Sequence, residues 1–225
     1  MKLFLFDIDG TLISPGPSAR NAISQAIESY TGILPNLQIK DVAGLTDRLI
    51  VRNALEKAGK NDVSYEIIDN IINNYLKLFN SSYSKSTEAF VYEDSVSLVE
   101  KVIDKQFPLG LLTGNVKQGA EIKLNKFDLL KYFQFGAFGD DGITRNDLPR
   151  VAKEVAEQNL GIKINYKDII LVGDTPEDAI AAKSNDCQSI VVCRREEWYD
   201  DIVEAGADLI VRSLDETVIE TRFIS

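Results

Sequence analysis

The sequence of 225 residues contains no histidine. This absence excludes Ser-His and Cys-His catalysis, phosphorylation of histidine, and zinc sites built on imidazole ligands. Any chemistry must rest on carboxylates, hydroxyls, lysine, arginine or a hard metal ion. Cysteine is scarce as well, because only Cys187 and Cys193 occur, in or beside one apolar segment. We expect both to be reduced, inert thiols in the core rather than a disulfide or a metal-binding pair.

Long apolar runs and an excess of basic residues are also missing. No run approaches the ~20 residues that a membrane span needs, and the opening run at residues 3–6 is too short for a secretory signal peptide. We therefore expect a cytoplasmic protein without a membrane partner. The net charge of −10 argues against nucleic acid as a partner, because phosphate backbones are bound by clustered Lys and Arg. Because the protein is acidic, a phosphorylated substrate would need a cation at its binding site.

The hydropathy pattern predicts an α/β protein with a helical insertion. Strands are predicted at residues 2–6, 109–113, 133–138, 169–172, 189–193 and 208–211, and helices at 19–30, 47–58, 64–79, 93–104, 117–127, 149–160, 176–184 and 196–204. The alternation of strand and helix after residue 88 indicates a doubly wound, Rossmann-like parallel sheet covered by helices. We predict an α/β core from residues 1–14 and 86–225, with residues 15–85 as an α-helical cap.

Polar residues follow the ends of the predicted strands, where sheets of this kind bind ligands. Asp7 and Asp9 come directly after the first strand and are two residues apart, so both carboxylates can face one pocket. Carboxylates this close repel each other unless a proton or a cation neutralises them, and Mg²⁺ is the natural cation. A simple turn is the alternative, because Asp and Gly10 are turn residues.

Two further strand ends carry polar segments. Thr113-Gly114-Asn115 offers a hydroxyl and backbone N–H groups that can approach a phosphate closely, or an N-cap for the next helix. Asp174 lies at the tip of the strand at 169–172, and Asp178 follows one helical turn later. Capping of the helix that begins at residue 176 is again the alternative, although three acidic residues in one short loop exceed what a cap requires.

A cation is expected between these segments. Arg145, which follows the strand at 133–138, could balance the carboxylates and clamp a phosphoryl oxygen. A solvated loop arginine is the alternative, and Lys117 and Lys153 are the other candidates for the role.

Taken in order, these segments resemble the haloacid dehalogenase superfamily of phosphatases. Residues 7–12, DIDGTL, match the DxDGT motif that opens the family, residues 112–115, LTGN, fit the second motif, and residues 173–178, GDTPED, match the closing GDxxxD motif. The resemblance spans essentially the whole chain. The helices between the first two motifs look like the family's type 1 cap, and the plan is similar to phosphoglycolate phosphatase-like proteins.

The resemblance implies Mg²⁺-dependent hydrolysis of a small phosphate monoester. Asp7 would be the nucleophile, Asp9 the general acid and then the general base, and Thr113 with the Gly114 N–H would hold phosphoryl oxygens. The implied metal residues are Asp7, Asp9 through its carbonyl, Asp174 and, around the metal, Asp178. The other implied binding residues are Gly10 and Asn115. In the cap, the loop at Thr46, Asp47 and Arg48 could read the leaving group, and a helix N-cap near residue 47 is the alternative. The third motif usually supplies a lysine, and Arg145 stands where it is expected.

Several alternatives stay open at this point. Dehalogenases of the superfamily lack an aspartate two residues after the nucleophile, so Asp9 favours phosphoryl transfer. A sugar-phosphate mutase is the main alternative, although Thr11 favours the phosphatases, and a relative that binds a phosphorylated ligand without turnover is another. A receiver module is disfavoured by the helical insertion and by the length of the chain. The expected partner is a small phosphorylated metabolite, and the protein is expected to be a monomer or a homodimer.

Overall fold

A parallel sheet of six strands forms the centre of the molecule. The computed structural model describes residues 1–224. The strands are β1 (Leu3–Phe6), β2 (Ile13–Ser14), β3 (Phe90–Val91), β4 (Leu109–Leu112), β5 (Gly136–Ala137), β6 (Ile169–Gly173), β7 (Gln188–Val192) and β8 (Leu209–Val211). The order in the large sheet is β5-β4-β1-β6-β7-β8, with every pair parallel, and β2 and β3 form a separate antiparallel ribbon. The predicted doubly wound fold is confirmed.

The position of β1 in this order determines where a ligand site can form. Phe6 pairs with Leu111 of β4 on one side and with Val172 of β6 on the other. All four residues of β1 are buried, as expected for a strand covered by helices on both faces. The chain leaves β1 toward β4 on one side and returns to β6 on the other. In such sheets the crevice for a ligand lies at the carboxyl ends of the strands where the order reverses.

Helices cover both faces of the sheet and form a separate layer beside it. They are α1 (Ser18–Thr31), α2 (Asp47–Lys57), α3 (Tyr65–Tyr83), α4 (Glu93–Asp104), α5 (Lys117–Asn125), α6 (Leu148–Leu160), α7 (Pro176–Ser184), α8 (Tyr199–Ala205) and α9 (Thr217–Ile219), followed by a π-helical turn at Glu220–Ile224. The first three helices share their own apolar cluster, which includes Ile23, Val51 and Phe79. This cluster is distinct from those under the sheet. The cap boundaries at residues 14/15 and 85/86 stay a prediction.

The predicted elements agree closely with the observed ones where the local signal is strong. Helices α4 and α7 have the predicted bounds. The strand predicted at 133–138 contains only Gly136–Ala137, because this edge strand pairs with β4 alone and a 3₁₀ turn precedes it at Leu130–Tyr132. The helix predicted at 196–204 begins as a 3₁₀ turn, Glu196–Trp198, before α8. Both cysteines are free and buried.

Candidate active site

Three neighbouring strands bring their final polar residues to one edge of the sheet. Asp7 follows β1, Thr113 follows β4 and Asp174 follows β6. The backbone N–H of Asp7 donates to the carbonyl of Val172 at 2.9 Å, so the pairing of β1 with β6 continues to the tip. All three side chains are buried. Because the three strands are parallel neighbours, these side chains lie together at one edge of the sheet, as the sequence predicts.

Asp7, Asp174 and Asp178 form a compact acidic cluster. Among the described residues, each of these three offers a carboxylate oxygen, and the three oxygens lie within 4.8 Å of one another. Burial raises the pKa of Asp7 to about 6, with Arg145 acting in the opposite direction. Burial, Asp7 and Asp178 together raise the pKa of Asp174 well above its ordinary value. Carboxylates that are both buried and mutually repulsive are a donor set that fits a hard divalent cation.

Arg145 is the cation at this cluster. Its Nη2 lies 3.0 Å from Oδ1 of Asp7 and 2.5 Å from Oδ1 of Asp178, and its side chain is only 5% exposed. Lys117 is exposed and its ammonium lies over the ring of Phe138, whereas Lys153 pairs with Glu157 at 2.7 Å on α6. Of the three candidates considered for the third motif, only Arg145 contacts Asp7.

The loop after β6 holds Asp178 in a fixed orientation. Its Oδ2 accepts hydrogen bonds from the backbone N–H groups of Asp174 and Thr175, at 3.2 and 3.0 Å, and from the Thr175 hydroxyl at 2.7 Å. These bonds form a capping box at the start of α7. Because its other oxygen faces Arg145, both oxygens of Asp178 are already engaged. This arrangement suits a residue that orients Asp174 better than a direct metal ligand.

A glycine permits the close approach of the first and last motifs. Gly10 has φ of +83°, and a Cβ at this position would lie 2.0 Å from Oδ2 of Asp174. Any side chain would therefore displace the carboxylate and strain the backbone. The contribution of Gly10 is the space that it leaves.

A hydrogen-bond network joins Asp9 to the second motif. Asn115 Nδ2 donates to Asp9 Oδ2 at 2.9 Å and to the Thr113 hydroxyl at 2.8 Å. The ammonium of Lys123 lies 2.5 Å from Asp9 Oδ2 and 2.5 Å from Asn115 Oδ1. Lys123 belongs to none of the predicted motifs. The available signal was its position on the buried face of α5, together with Gly119 and Ala120.

Two of the three cap residues expected to face the substrate, Thr46 and Arg48, have other partners. The buried Thr46 hydroxyl accepts from the backbone N–H of Leu49 at 3.3 Å as the N-cap of α2, and it donates to the Ile143 carbonyl at 3.2 Å. Arg48 Nη2 lies 2.9 Å from Asp69 Oδ1, and its Nη1 donates to the Asp140 carbonyl at 3.1 Å. Neither residue is on the wall of the cavity described next. The structure therefore favours the capping interpretation for Thr46 and an ion pair for Arg48, whereas Asp47 between them lines the cavity.

These groups share one cavity of about 450 Å³ between the sheet edge and the first three helices. Its size is in the range of small-molecule sites. The wall includes Asp7, Asp9, Thr113, Arg145 and Asp174 from the core. Asp47, one of the cap residues expected to face the substrate, lies in the wall as well. Five further lining residues belong to no predicted motif: Arg20, Tyr75, Lys123, Arg195 and Trp198. No helix within residues 1–224 has the length and apolar character to cross a membrane.

The chain belongs to the haloacid dehalogenase-like hydrolase family, whose model matches residues 4–192. A phosphoglycolate phosphatase of Vibrio parahaemolyticus is 23% identical over 220 residues, which cover 96% of this chain and 94% of that protein. The crystal structure of a predicted phosphatase from Clostridium acetobutylicum is similar in fold, with a TM-score of 0.74, 23% identity and coverage of 98% and 97%. A Thermotoga maritima structure provisionally named a β-phosphoglucomutase has a TM-score of 0.66, 22% identity and coverage of 99% and 100%. The predicted family and enzyme class, a phosphoric monoester hydrolase, are confirmed.

Proposed function

We propose that this protein hydrolyses a small phosphate monoester in a Mg²⁺-dependent reaction through a phospho-aspartate on Asp7. The observation that carries the proposal is that two sets of groups share one cavity with Asp7. Arg145 pairs with Asp7, whose carboxylate lies close to that of Asp174, and the network of Asp9, Asn115 and Thr113 lines the same cavity.

In the first step, an oxygen of Asp7 attacks phosphorus and the bond from phosphorus to the leaving oxygen breaks. Asp9 donates a proton to that oxygen, so a neutral alcohol departs. In the second step, Asp9 accepts a proton from water as the water oxygen attacks phosphorus. The bond to Asp7 then breaks, and inorganic phosphate and the free carboxylate result. Arg145, the Thr113 hydroxyl and the Gly114 N–H would hold the phosphoryl oxygens throughout.

The acidic cluster would hold the metal ion through Asp7 and Asp174, with the Asp9 carbonyl as a further ligand. Asp178 would orient Asp174 from its capping box. Bound Mg²⁺ would supply positive charge that offsets the charge on the phosphoryl oxygens. This fits the residues present, because within residues 1–224 the three buried carboxylates have ion pairs with a single cation, Arg145, which contacts Asp7 and Asp178.

The cavity and the relatives support a small phosphorylated metabolite as the substrate. A cavity of about 450 Å³ is large enough for a small phosphorylated metabolite. Its wall contains a further cation, Arg195, which would favour a metabolite that carries a second anionic group. The curated relative described above is named a phosphoglycolate phosphatase. Phosphoglycolate, with one phosphate and one carboxylate, is the first compound to test.

The experiment is a phosphate-release assay on p-nitrophenyl phosphate and a panel of small phosphate esters that includes phosphoglycolate. Each substrate is tested with Mg²⁺, with EDTA, and with the variant Asp7→Asn. We expect Mg²⁺-dependent release of inorganic phosphate that the variant loses. A mutase would instead return the phosphoryl group to a second hydroxyl of the substrate, with little release of free phosphate. Folded protein without turnover on any substrate would refute the proposal.

A further inference from the structure

Lys123 is a buried cation to which the reaction above assigns no step. Its side chain is 3% exposed, and its ammonium also faces the ring of Phe79 at 5.7 Å from the centroid. Burial of an ammonium group is costly unless the group is paired and hydrogen-bonded. The two partners at 2.5 Å, Asp9 Oδ2 and Asn115 Oδ1, meet that requirement. The position is therefore maintained by contacts with residues of the site itself.

The contacts of Lys123 constrain the orientation of Asp9. Both Lys123 and Asn115 donate to the same oxygen, Oδ2, whereas Oδ1 has no hydrogen-bond partner within residues 1–224. Two donors at one oxygen resist rotation of the carboxylate about its Cβ–Cγ bond. Lys123 and Asn115 also bond to each other, and Asn115 bonds to Thr113. The orientation of Asp9 is thus tied to the second motif.

We propose that Lys123 is a positioning residue that holds the Asp9 carboxylate in the orientation needed for proton transfer to the leaving oxygen. The inference rests on the proposed function, in which Asp9 is the general acid. Proton transfer requires the acid within hydrogen-bond reach of the leaving oxygen, and small errors in position reduce the rate strongly.

The test is the leaving-group dependence of the variant Lys123→Met, which keeps an apolar stem of similar length. kcat/KM is measured for p-nitrophenyl phosphate, a good leaving group, and for an alkyl phosphate, a poor one. A well-placed general acid contributes roughly 10²–10⁴-fold, so we expect the aryl-to-alkyl ratio to rise by about 10-fold or more. Both values come from one preparation, so a reduced folded fraction cancels in the ratio. kcat/KM also excludes the later dephosphorylation step.

The matched control is Lys126→Met. Lys126 lies three residues further along the chain, and its ammonium contacts the Tyr83 carbonyl at 3.1 Å rather than the cavity. The variant removes the same charge as Lys123→Met and should leave the aryl-to-alkyl ratio unchanged. In the background of Asp9→Asn, which should itself raise the ratio, Lys123→Met should raise it no further, because the residue acts through Asp9.

An equal loss for both substrates in Lys123→Met would overturn this inference and leave the proposed function intact. A ratio that rises further in the Asp9→Asn background would also overturn it, because Lys123 would then act independently of Asp9. No turnover by the unaltered protein would overturn the proposed function, and this inference with it.

Discussion

Asp47, the first residue of α2, accepts a hydrogen bond through its Oδ2 from the backbone N–H of Val116 at 2.8 Å. Val116 is the N-cap residue of α5 and has no side-chain cap of its own. A carboxylate from the helical layer therefore caps a helix of the core. The backbone N–H of Asp47 also donates to the Gly114 carbonyl at 2.9 Å. These two bonds hold α2 against the loop that carries Thr113.

Burial raises the pKa of Asp47 to about 6, with Lys123 and the Val116 N–H acting in the opposite direction. The folded state thus holds the proton more tightly than the unfolded state, in which the pKa is about 4. Ionisation of Asp47 therefore lowers the free energy of unfolding. This loss is absent below about pH 4, grows as the pH rises to about 6, and is complete above that.

The variant Asp47→Asn keeps an acceptor for Val116 and cannot ionise. Its unfolding free energy relative to the unaltered protein should increase between pH 4.5 and pH 7, by about 2 kcal/mol, at 1.36 kcal/mol per pKa unit. Urea unfolding at the two pH values measures this. The other buried carboxylates are present in both proteins and cancel in the difference. Asp104→Asn, at an exposed position at the end of α4, is the control, and a difference independent of pH for Asp47→Asn would contradict the prediction.

Two glycines near this contact should respond in opposite ways to alanine. A Cβ on Gly114 would lie 2.1 Å from the Leu45 carbonyl oxygen, which is backbone and cannot move alone. A Cβ on Gly119, inside α5, would meet nothing closer than 3.5 Å. We expect Gly114→Ala to displace the helical layer and to lower kcat/KM at least about 10-fold, a loss of roughly 1.4 kcal/mol in transition-state stabilisation.

Gly119→Ala should instead stabilise the protein by about 0.5–1 kcal/mol, because glycine inside a helix is unfavourable relative to alanine. Thermal unfolding and phosphatase assays of both variants measure these effects. Equal activity of the two variants would show that contact between Leu45 and the second motif is not needed for turnover.

Arg48 forms an ion pair with Asp69, and this contact predicts a different effect of Arg48→Ala than a substrate-binding role would. The two side chains are 30% and 45% exposed, and such pairs contribute about 0.2–1 kcal/mol. Arg48→Ala should therefore lower stability slightly and change KM by the same small factor for aryl and alkyl phosphates. Steady-state kinetics on both substrates, with Asp69→Ala as the partner variant, provide the measurement. A rise in KM confined to the best substrate would return Arg48 to substrate recognition.

The parts of the site that the sequence predicted are those that depend on strand ends alone. Asp7, Thr113 and Asp174 each follow an apolar strand, and parallel strands align their carboxyl ends at one edge. Lys123 could not be placed in this way, because it reaches the cavity from the buried face of α5 and follows no strand end. The family resemblance places Thr46 and Arg48 in a loop that faces the substrate, whereas their local sequence matches a helix N-terminus, which is what the structure shows.

Without a metal ion, the acidic cluster should make the protein less stable than a variant in which one of the three carboxylates is replaced by an uncharged side chain. Burial and the nearby Asp7 and Asp178 raise the pKa of Asp174, so ionisation of Asp174 in the folded state opposes folding at neutral pH. Asp174→Asn is nearly isosteric and uncharged. We expect it to raise Tm in EDTA, by about 2–4 °C for each kcal/mol relieved.

In the unaltered protein, Mg²⁺ should raise Tm, because a ligand that binds only the folded state stabilises it. Asp174→Asn should lose this increase along with activity, so the same substitution would stabilise the apo form and remove the response to metal. Calorimetry in EDTA and in increasing Mg²⁺ tests both effects, with Asp104→Asn as the control that keeps the metal response. An undiminished Mg²⁺-dependent rise in Tm for Asp174→Asn would exclude this carboxylate as a ligand, since the remaining oxygens would then suffice to hold the ion.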